Sequence, residues 1–207
     1  MSCAGLILAA GESRRMGSPK ALLDYRGATF LDTLIGLFAE RCSPVIVTLG
    51  AAAEEIRART ARQAQFVLNP DYARGQITSM QCGLRAAPPE AEGVLFTLVD
   101  HPAVTGDTLD ALLRGRSSGS VPMSGEAAGM TTSYLVRVPR YQGRRGHPIW
   151  FARALIAAFL GLPDNGAARE IVRGHSAQTE FLDVDDPGIL ADIDDPAAYG
   201  RLTGALI

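Results

Sequence analysis

Residues 8–20, Leu8-Ala9-Ala10-Gly11-Glu12-Ser13-Arg14-Arg15-Met16-Gly17-Ser18-Pro19-Lys20, decide how this chain folds. They follow an apolar run, 3–8, that reads as a buried β-strand. After that strand come two glycines, two arginines and a lysine, with Met16 as the hydrophobic anchor among them. Glycine lets a backbone turn tightly and bring its N–H groups close to a ligand, and the cations supply the charge that a polyphosphate needs. A strand feeding a glycine-containing basic loop is a candidate nucleoside triphosphate site; a plain basic strand-to-helix turn would use the same residues. The stretch lacks the G-K-[ST] ending of a P-loop and the G-x-G-x-x-G spacing of a dinucleotide fold, so neither a P-loop ATPase nor a dehydrogenase is favoured.

Size and composition bound the rest. The 207 residues are 47% apolar and 20% charged, which suits one α/β domain with a substantial core. A net charge of −2 provides no global basic field, so neither nucleic acid nor an anionic membrane is expected as a partner. Cys3, Cys42 and Cys82 are far apart and lack C-x-x-C spacing, which predicts free thiols in a reducing cytoplasm. The first apolar run stops at Gly11, too early for a signal peptide, and no run approaches the roughly 20 apolar residues of a membrane span. A cytoplasmic protein is expected.

Strand-like runs at 45–49, 66–68, 94–99, 134–138 and 181–184 alternate with helix-like segments at 29–41, 52–63, 79–87, 150–160 and 166–173. Continuous apolar strands alternating with helices predict crossovers and a mostly parallel sheet. In such sheets ligands bind beyond the carboxyl ends of the strands, where both Gly11 and Asp100 fall. Residues 115–132, rich in Gly, Ser, Ala and Thr, read as a long mobile loop between a nucleotide-binding half, 1–115, and an acceptor-binding half, 133–207.

Four groups of residues could carry chemistry. Asp100 ends an apolar strand opposite the basic loop, a suitable place for a carboxylate to hold a divalent cation against phosphates, although strand-end aspartates also cap turns. The polar loop 69–80, with Gly75, Gln76 and Ser79, can meet a base edge and ribose, or simply cap the helix that follows. Arg144-Arg145-Gly146-His147-Pro148 could receive an anionic acceptor or form a basic turn. In the acidic tail, Asp186-Pro187 and Asp195-Pro196 read as helix caps, which leaves Asp192 and Asp194 on one side of an extended segment.

The pattern L-A-A-G-x-S-x-R-M-G-x-x-K, followed in order by L-V-D-x-P, R-G-H-P and a D-x-x-P tail, resembles the nucleotidyltransferases that act on the molybdenum cofactor. These belong to a wider superfamily of sugar-phosphate nucleotidyltransferases. The resemblance implies a single-domain, Rossmann-like, three-layer α/β/α nucleotidyltransferase fold. It implies a nucleotide site at Leu8, Ala9, Ala10, Gly11, Ser13, Arg14, Lys20, Gly75, Gln76 and Ser79, with Arg14, Lys20 and Asp100 acting in catalysis. It further implies a Mg2+ site, or Mn2+ in its place, at Asp100 and Asp194, and an acceptor site at Arg145, Gly146 and His147. R-G-H-P, together with Ala9-Ala10-Gly11 in place of A-G-G, is similar to the cytidylyl branch. The expected partners are CTP or another NTP, the molybdopterin cofactor, and a molybdoenzyme or its maturation chaperone. His101 occupies a position where relatives often carry glutamine. A guanylyltransferase, transfer to a sugar phosphate, and a non-catalytic nucleotide-binding regulator stand as alternatives; intact Lys20 and Asp100 argue against the last.

Overall fold

The computed structural model describes residues 2–114 and 134–204. The loop expected at 115–132 lies outside them. Strand β1 (Cys3–Ala9) is buried along its whole length. Its side chains alternate strictly: Cys3, Ile7 and Ala9 enter one apolar cluster, and Ala4, Leu6 and Leu8 the other. A strand covered on both faces needs apolar residues at every position, which is why residues 3–9 read as an unbroken hydrophobic run.

Strands β2 (Asp24–Tyr25) and β3 (Ala28–Thr29) form a small hairpin ahead of helix α1 (Phe30–Ala39). Thr29 caps α1 by accepting from Asp32 N. Then follow β4 (Val45–Leu49), α2 (Ala53–Arg59), β5 (Gln65–Leu68), α3 (Gln76–Arg85), β6 (Gly93–Leu98) and α4 (Gly106–Arg114). After residue 134 come β7 (Val136–Tyr141), β8 (Arg144–Arg145), β9 (Ile149–Ala152), α5 (Ile156–Leu160), α6 (Ala168–Gly174), β10 (Thr179–Asp183) and α7 (Pro196–Thr203).

The main sheet runs β10-β7-β9-β6-β1-β4-β5, with β8 paired to β7. The pairings β6-β1, β1-β4, β4-β5 and β7-β10 are parallel, and β9 runs antiparallel to both β6 and β7. Apolar residues of α1, α2 and α4 cover one face, and those of α3, α5 and α6 the other. The result is the expected three-layer, mostly parallel α/β/α domain. Among the described residues no helix is long and apolar enough to cross a membrane. Cys3, Cys42 and Cys82 form no disulfide among the described residues.

The structure corrects one element. The helix expected over 150–160 is two pieces, strand β9 and then α5, joined by a 3-10 turn at Arg153–Leu155. Phe151, Leu155 and Phe159 recur every four residues and all enter the same core cluster, so their spacing imitates a helical stripe. In the sheet, β9 pairs Leu95 with Trp150 and Val94 with Phe151. The Trp150 indole covers Gly93, where an added Cβ would come within 2.5 Å of the ring. Helix α4, at 106–114, has no counterpart in the sequence reading.

Candidate active site

A cavity of about 320 Å³ opens beyond the carboxyl ends of β1 and β6. Leu8, Ala9, Ala10, Gly11, Ser13, Arg14 and Lys20 line it from the first loop, Gln76 and Ser79 from α3, and Asp100 and Asp194 from the opposite side. The loop is folded back by its own hydrogen bonds. Ser13 adopts a φ of 52°, its carbonyl accepts from Met16 N at 2.9 Å, and its Oγ accepts from Lys20 N at 3.0 Å. That clamp returns the lysine to the mouth of β1.

The Lys20 ammonium donates to Asp100 Oδ2 at 3.1 Å and to Asp194 Oδ1 at 2.5 Å. Burial works to lower its pKa, but hydrogen bonds to the two carboxylates prevail and raise it, so the charge is held firmly. Arg15 Nη2 donates to Asp194 Oδ2 at 2.9 Å. The hydrogen bond from Lys20, with further help from Arg15, holds the Asp194 carboxyl below its usual range. Arg14 reaches the cavity while ion-paired with Glu12 and exposed to solvent.

The tail is drawn to this point by Ile193, which is buried and donates its N–H to the Asp100 carbonyl at 3.1 Å. Asp192 and Asp194 flank it. Burial and the neighbouring charges of Asp100 and Asp194 push the Asp192 pKa up. Asp100 Oδ1 is buried without a hydrogen-bond partner and faces His101 Nε2 at 3.7 Å. Asp100, His101 and Asp192 each offer a ligand atom, all within 4.8 Å of one another. An orphaned carboxylate oxygen beside a second carboxylate and an imidazole fits a divalent cation.

The 69–80 loop is knotted onto α3. Asn69 Nδ2 donates to Thr78 Oγ1 and Ser79 Oγ, both at 2.9 Å. Gly75 lines neither cavity described here. It has a φ of 142°, and a Cβ there would stand 2.5 Å from the Asp164 carbonyl oxygen, so close backbone packing accounts for this glycine.

A second cavity, of about 430 Å³, shares Leu8, Gln76 and Leu98 with the first. Arg145 and His147 line it. Gly146 is set behind them, where a Cβ would meet the Ile189 carbonyl at 2.1 Å. Its neighbour His147 donates its N–H to the same carbonyl at 3.0 Å. Burial above all lowers the pKa of both His101 and His147 to about 4; Lys20 adds to this at His101, and His101 at His147. Their ring centroids lie 4.9 Å apart, with His147 in the wall of the second cavity. Thus Gly75 and Gly146 act on the backbone, and the remaining expected residues face one cavity or the other.

Several lining residues have no counterpart among the expected site residues. Tyr72, in the 69–80 loop, and Arg15, next to Arg14, both line the first cavity. Arg169 and Arg173, also in the second wall, share one face of α6 at i, i+4 spacing, which is a legible signal.

Comparison with known proteins places the chain in a family. The model of the MobA-like NTP transferase domain matches residues 5–180. The molybdenum cofactor cytidylyltransferase of Escherichia coli is 28% identical over 92% of this chain and 90% of its own length. Nicotine blue oxidoreductase of Paenarthrobacter nicotinovorans is 30% identical over 96% and 95%. A probable molybdenum cofactor guanylyltransferase of Mycobacterium avium is 38% identical over a shorter stretch, 55% and 57%. Among solved structures, a manganese complex of Rv0371c from Mycobacterium tuberculosis superposes with a TM-score of 0.77 at 26% identity, covering 100% of both chains. With its glycine-bearing basic loop, strand-end aspartate and central sheet all inside the matched region, the chain belongs to the MobA-like NTP transferase family and is a nucleotidyltransferase.

Proposed function

We propose that the protein transfers CMP from CTP to the molybdenum cofactor, giving molybdopterin cytosine dinucleotide and pyrophosphate. One observation carries this reading. The cavity that gathers Lys20, Asp100 and Asp194 shares Leu8, Gln76 and Leu98 with a neighbouring cavity walled by Arg145 and His147, which supports a triphosphate and an anionic acceptor bound side by side. The terminal phosphate of the acceptor attacks the α-phosphorus in line. A new P–O bond forms as the bond to the bridging oxygen of the β-phosphate breaks, and pyrophosphate departs with the electron pair. No covalent enzyme intermediate is needed. The backbone N–H groups of residues 9–14, with Arg14 and Lys20, hold the triphosphate and meet the charge that develops on the leaving group. Asp100 with Asp192 or Asp194 would hold a Mg2+ or Mn2+, which would supply further charge neutralisation to the triphosphate. Gln76 and Ser79 face the base and ribose, and the product passes to a molybdoenzyme or its maturation chaperone.

Cytidylyl rather than guanylyl transfer is supported by R-G-H-P and by the reach of the similarity, 92% of the chain for the cytidylyltransferase against 55% for the guanylyltransferase. A site hydrogen-bonded to cytosine leaves buried groups unpaired with guanine, at roughly 1–3 kcal/mol per group. Pyrophosphate release measured with CTP, GTP and ATP in the presence of molybdenum cofactor tests this. The kcat/KM with CTP is expected to exceed that with GTP by at least about a hundredfold, the effect of two such groups. Parity or a GTP preference overturns the cytidylyl assignment.

A further inference from the structure

The wall of the second cavity carries an unbalanced charge. Arg145, Arg169 and Arg173 line it, and no aspartate or glutamate does. Among the described residues none of the three has a carboxylate partner, whereas Arg14, Arg15, Arg41, Arg74, Arg137 and Arg140 are all ion-paired. The nucleotide cavity differs, since its cations are already matched by Glu12, Asp100 and Asp194. Arg169 and Arg173 are one turn apart on α6 and so project to the same side. The Arg145 guanidinium lies 4.2 Å from the centroid of the Phe181 ring, a cation–π contact that holds it in place. Much of the remaining lining is apolar, including Ile77, Met80, Phe96, Val138 and Val172. Three guanidinium groups around an acid-free cavity repel one another until an anion joins them, and the planar guanidinium fork suits a multi-oxygen or dithiolene anion.

We infer that Arg169 and Arg173, together with Arg145, form a second anion subsite for the acceptor. The acceptor class is then one with two anionic groups, the phosphate that attacks near Asp100 and a second group that rests against α6. This rests on the proposed cofactor transfer, in which the metal-dithiolene end of the acceptor supplies the second anion. Arg169 and Arg173 bind and position; they do not touch the reacting phosphorus.

The test is steady-state kinetics of Arg169→Ala, Arg173→Ala, the double variant and the paired lysine variant, with CTP and molybdenum cofactor varied separately. The double alanine variant is expected to raise the acceptor KM about tenfold or more, with the CTP KM held within about twofold, as for loss of charge-assisted hydrogen bonds to one substrate only. The lysine pair recovers part of that loss. Raising ionic strength weakens acceptor binding more in the wild type than in the double variant. Both side chains are exposed on a helix, so native melting is expected. Wild-type turnover with an unchanged acceptor KM in the double variant overturns the subsite alone. Equal rises in both KM values, or a marked drop in melting temperature, show a structural role and overturn it too. Absence of pyrophosphate release by the wild type overturns the transfer reading, and the subsite falls with it.

Discussion

Lys20 Nζ lies 3.1 Å from Asp100 Oδ2, joining two residues 80 positions apart in the chain. The same ammonium binds Asp194, so one side chain from the first loop holds together the acids at the end of β6 and in the tail. Lys20→Ala is expected to lower kcat/KM by at least about two orders of magnitude, typical of losing one group that stabilises developing charge. Circular dichroism should remain native. Normal turnover by a folded variant contradicts the assignment.

Lys20 occupies the Oδ2 side of Asp100 with its positive charge, opposing a second cation there. Mn2+ titration without nucleotide should therefore give weak binding to the wild type and binding tighter by about tenfold to Lys20→Met. That factor corresponds to roughly 1.4 kcal/mol of removed repulsion, well within the range for charges a few ångströms apart near a protein surface. Equal affinities contradict it.

Asp100→Asn keeps the shape of the side chain and removes its charge. Turnover should be lost while part of the CTP affinity remains, because the first loop and α3 still contact the nucleotide. Treatment with EDTA should abolish activity and added Mg2+ or Mn2+ restore it. Full activity of the chelated enzyme, or of the variant, refutes metal dependence through Asp100.

Much of this architecture is legible in the sequence because strands covered on both faces must be apolar throughout, as residues 3–9 and 45–49 are. Asp100 is legible for a similar reason, since a lone acid at the end of such a run has no place in the core. What the sequence hides is set by contacts between distant segments. Trp150 and Phe151 belong to a strand because β6 and β7 have free edges there, while their spacing to Leu155 and Phe159 suits a helix equally well. Gly75 and Gly146 look like ligand-facing glycines until Asp164 and Ile189 are seen against them. The choice between Arg14 and Arg15 depends on where Glu12 and Asp194 come to rest, which no local pattern encodes.

Asp186 anchors the turn that supports the second cavity. Its buried carboxylate accepts from Thr105 N and Thr105 Oγ1 at 2.9 Å, Thr108 Oγ1 at 2.6 Å and Gly188 N at 2.9 Å. Asp186→Ala leaves these donors without an acceptor and is expected to cost about 3–5 kcal/mol. Scanning calorimetry should show a drop of roughly 10 °C in Tm. A shift smaller than about 3 °C would mean the donors find other partners.

His101 and His147 stay neutral in the fold down to about pH 4, whereas in the unfolded chain they take up protons near pH 6.5. The unfolded state thus binds more protons between those values, and stability falls as pH drops through the window. Each histidine contributes a slope of about 1.4 kcal/mol per pH unit. Denaturant midpoints measured from pH 7 to pH 4.5 should decline, and His147→Gln should flatten the decline. A pH-independent midpoint contradicts the buried neutral pair.

The central claim is transfer of the nucleotide's α-phosphate to the molybdenum cofactor, and α-32P-labelled CTP follows that atom directly. Incubation with metal and cofactor should place the label in the cofactor fraction, with one pyrophosphate released for each label transferred. Retention of all label in CTP, CDP or CMP, or a redox change of the acceptor with no pyrophosphate released, would contradict the account.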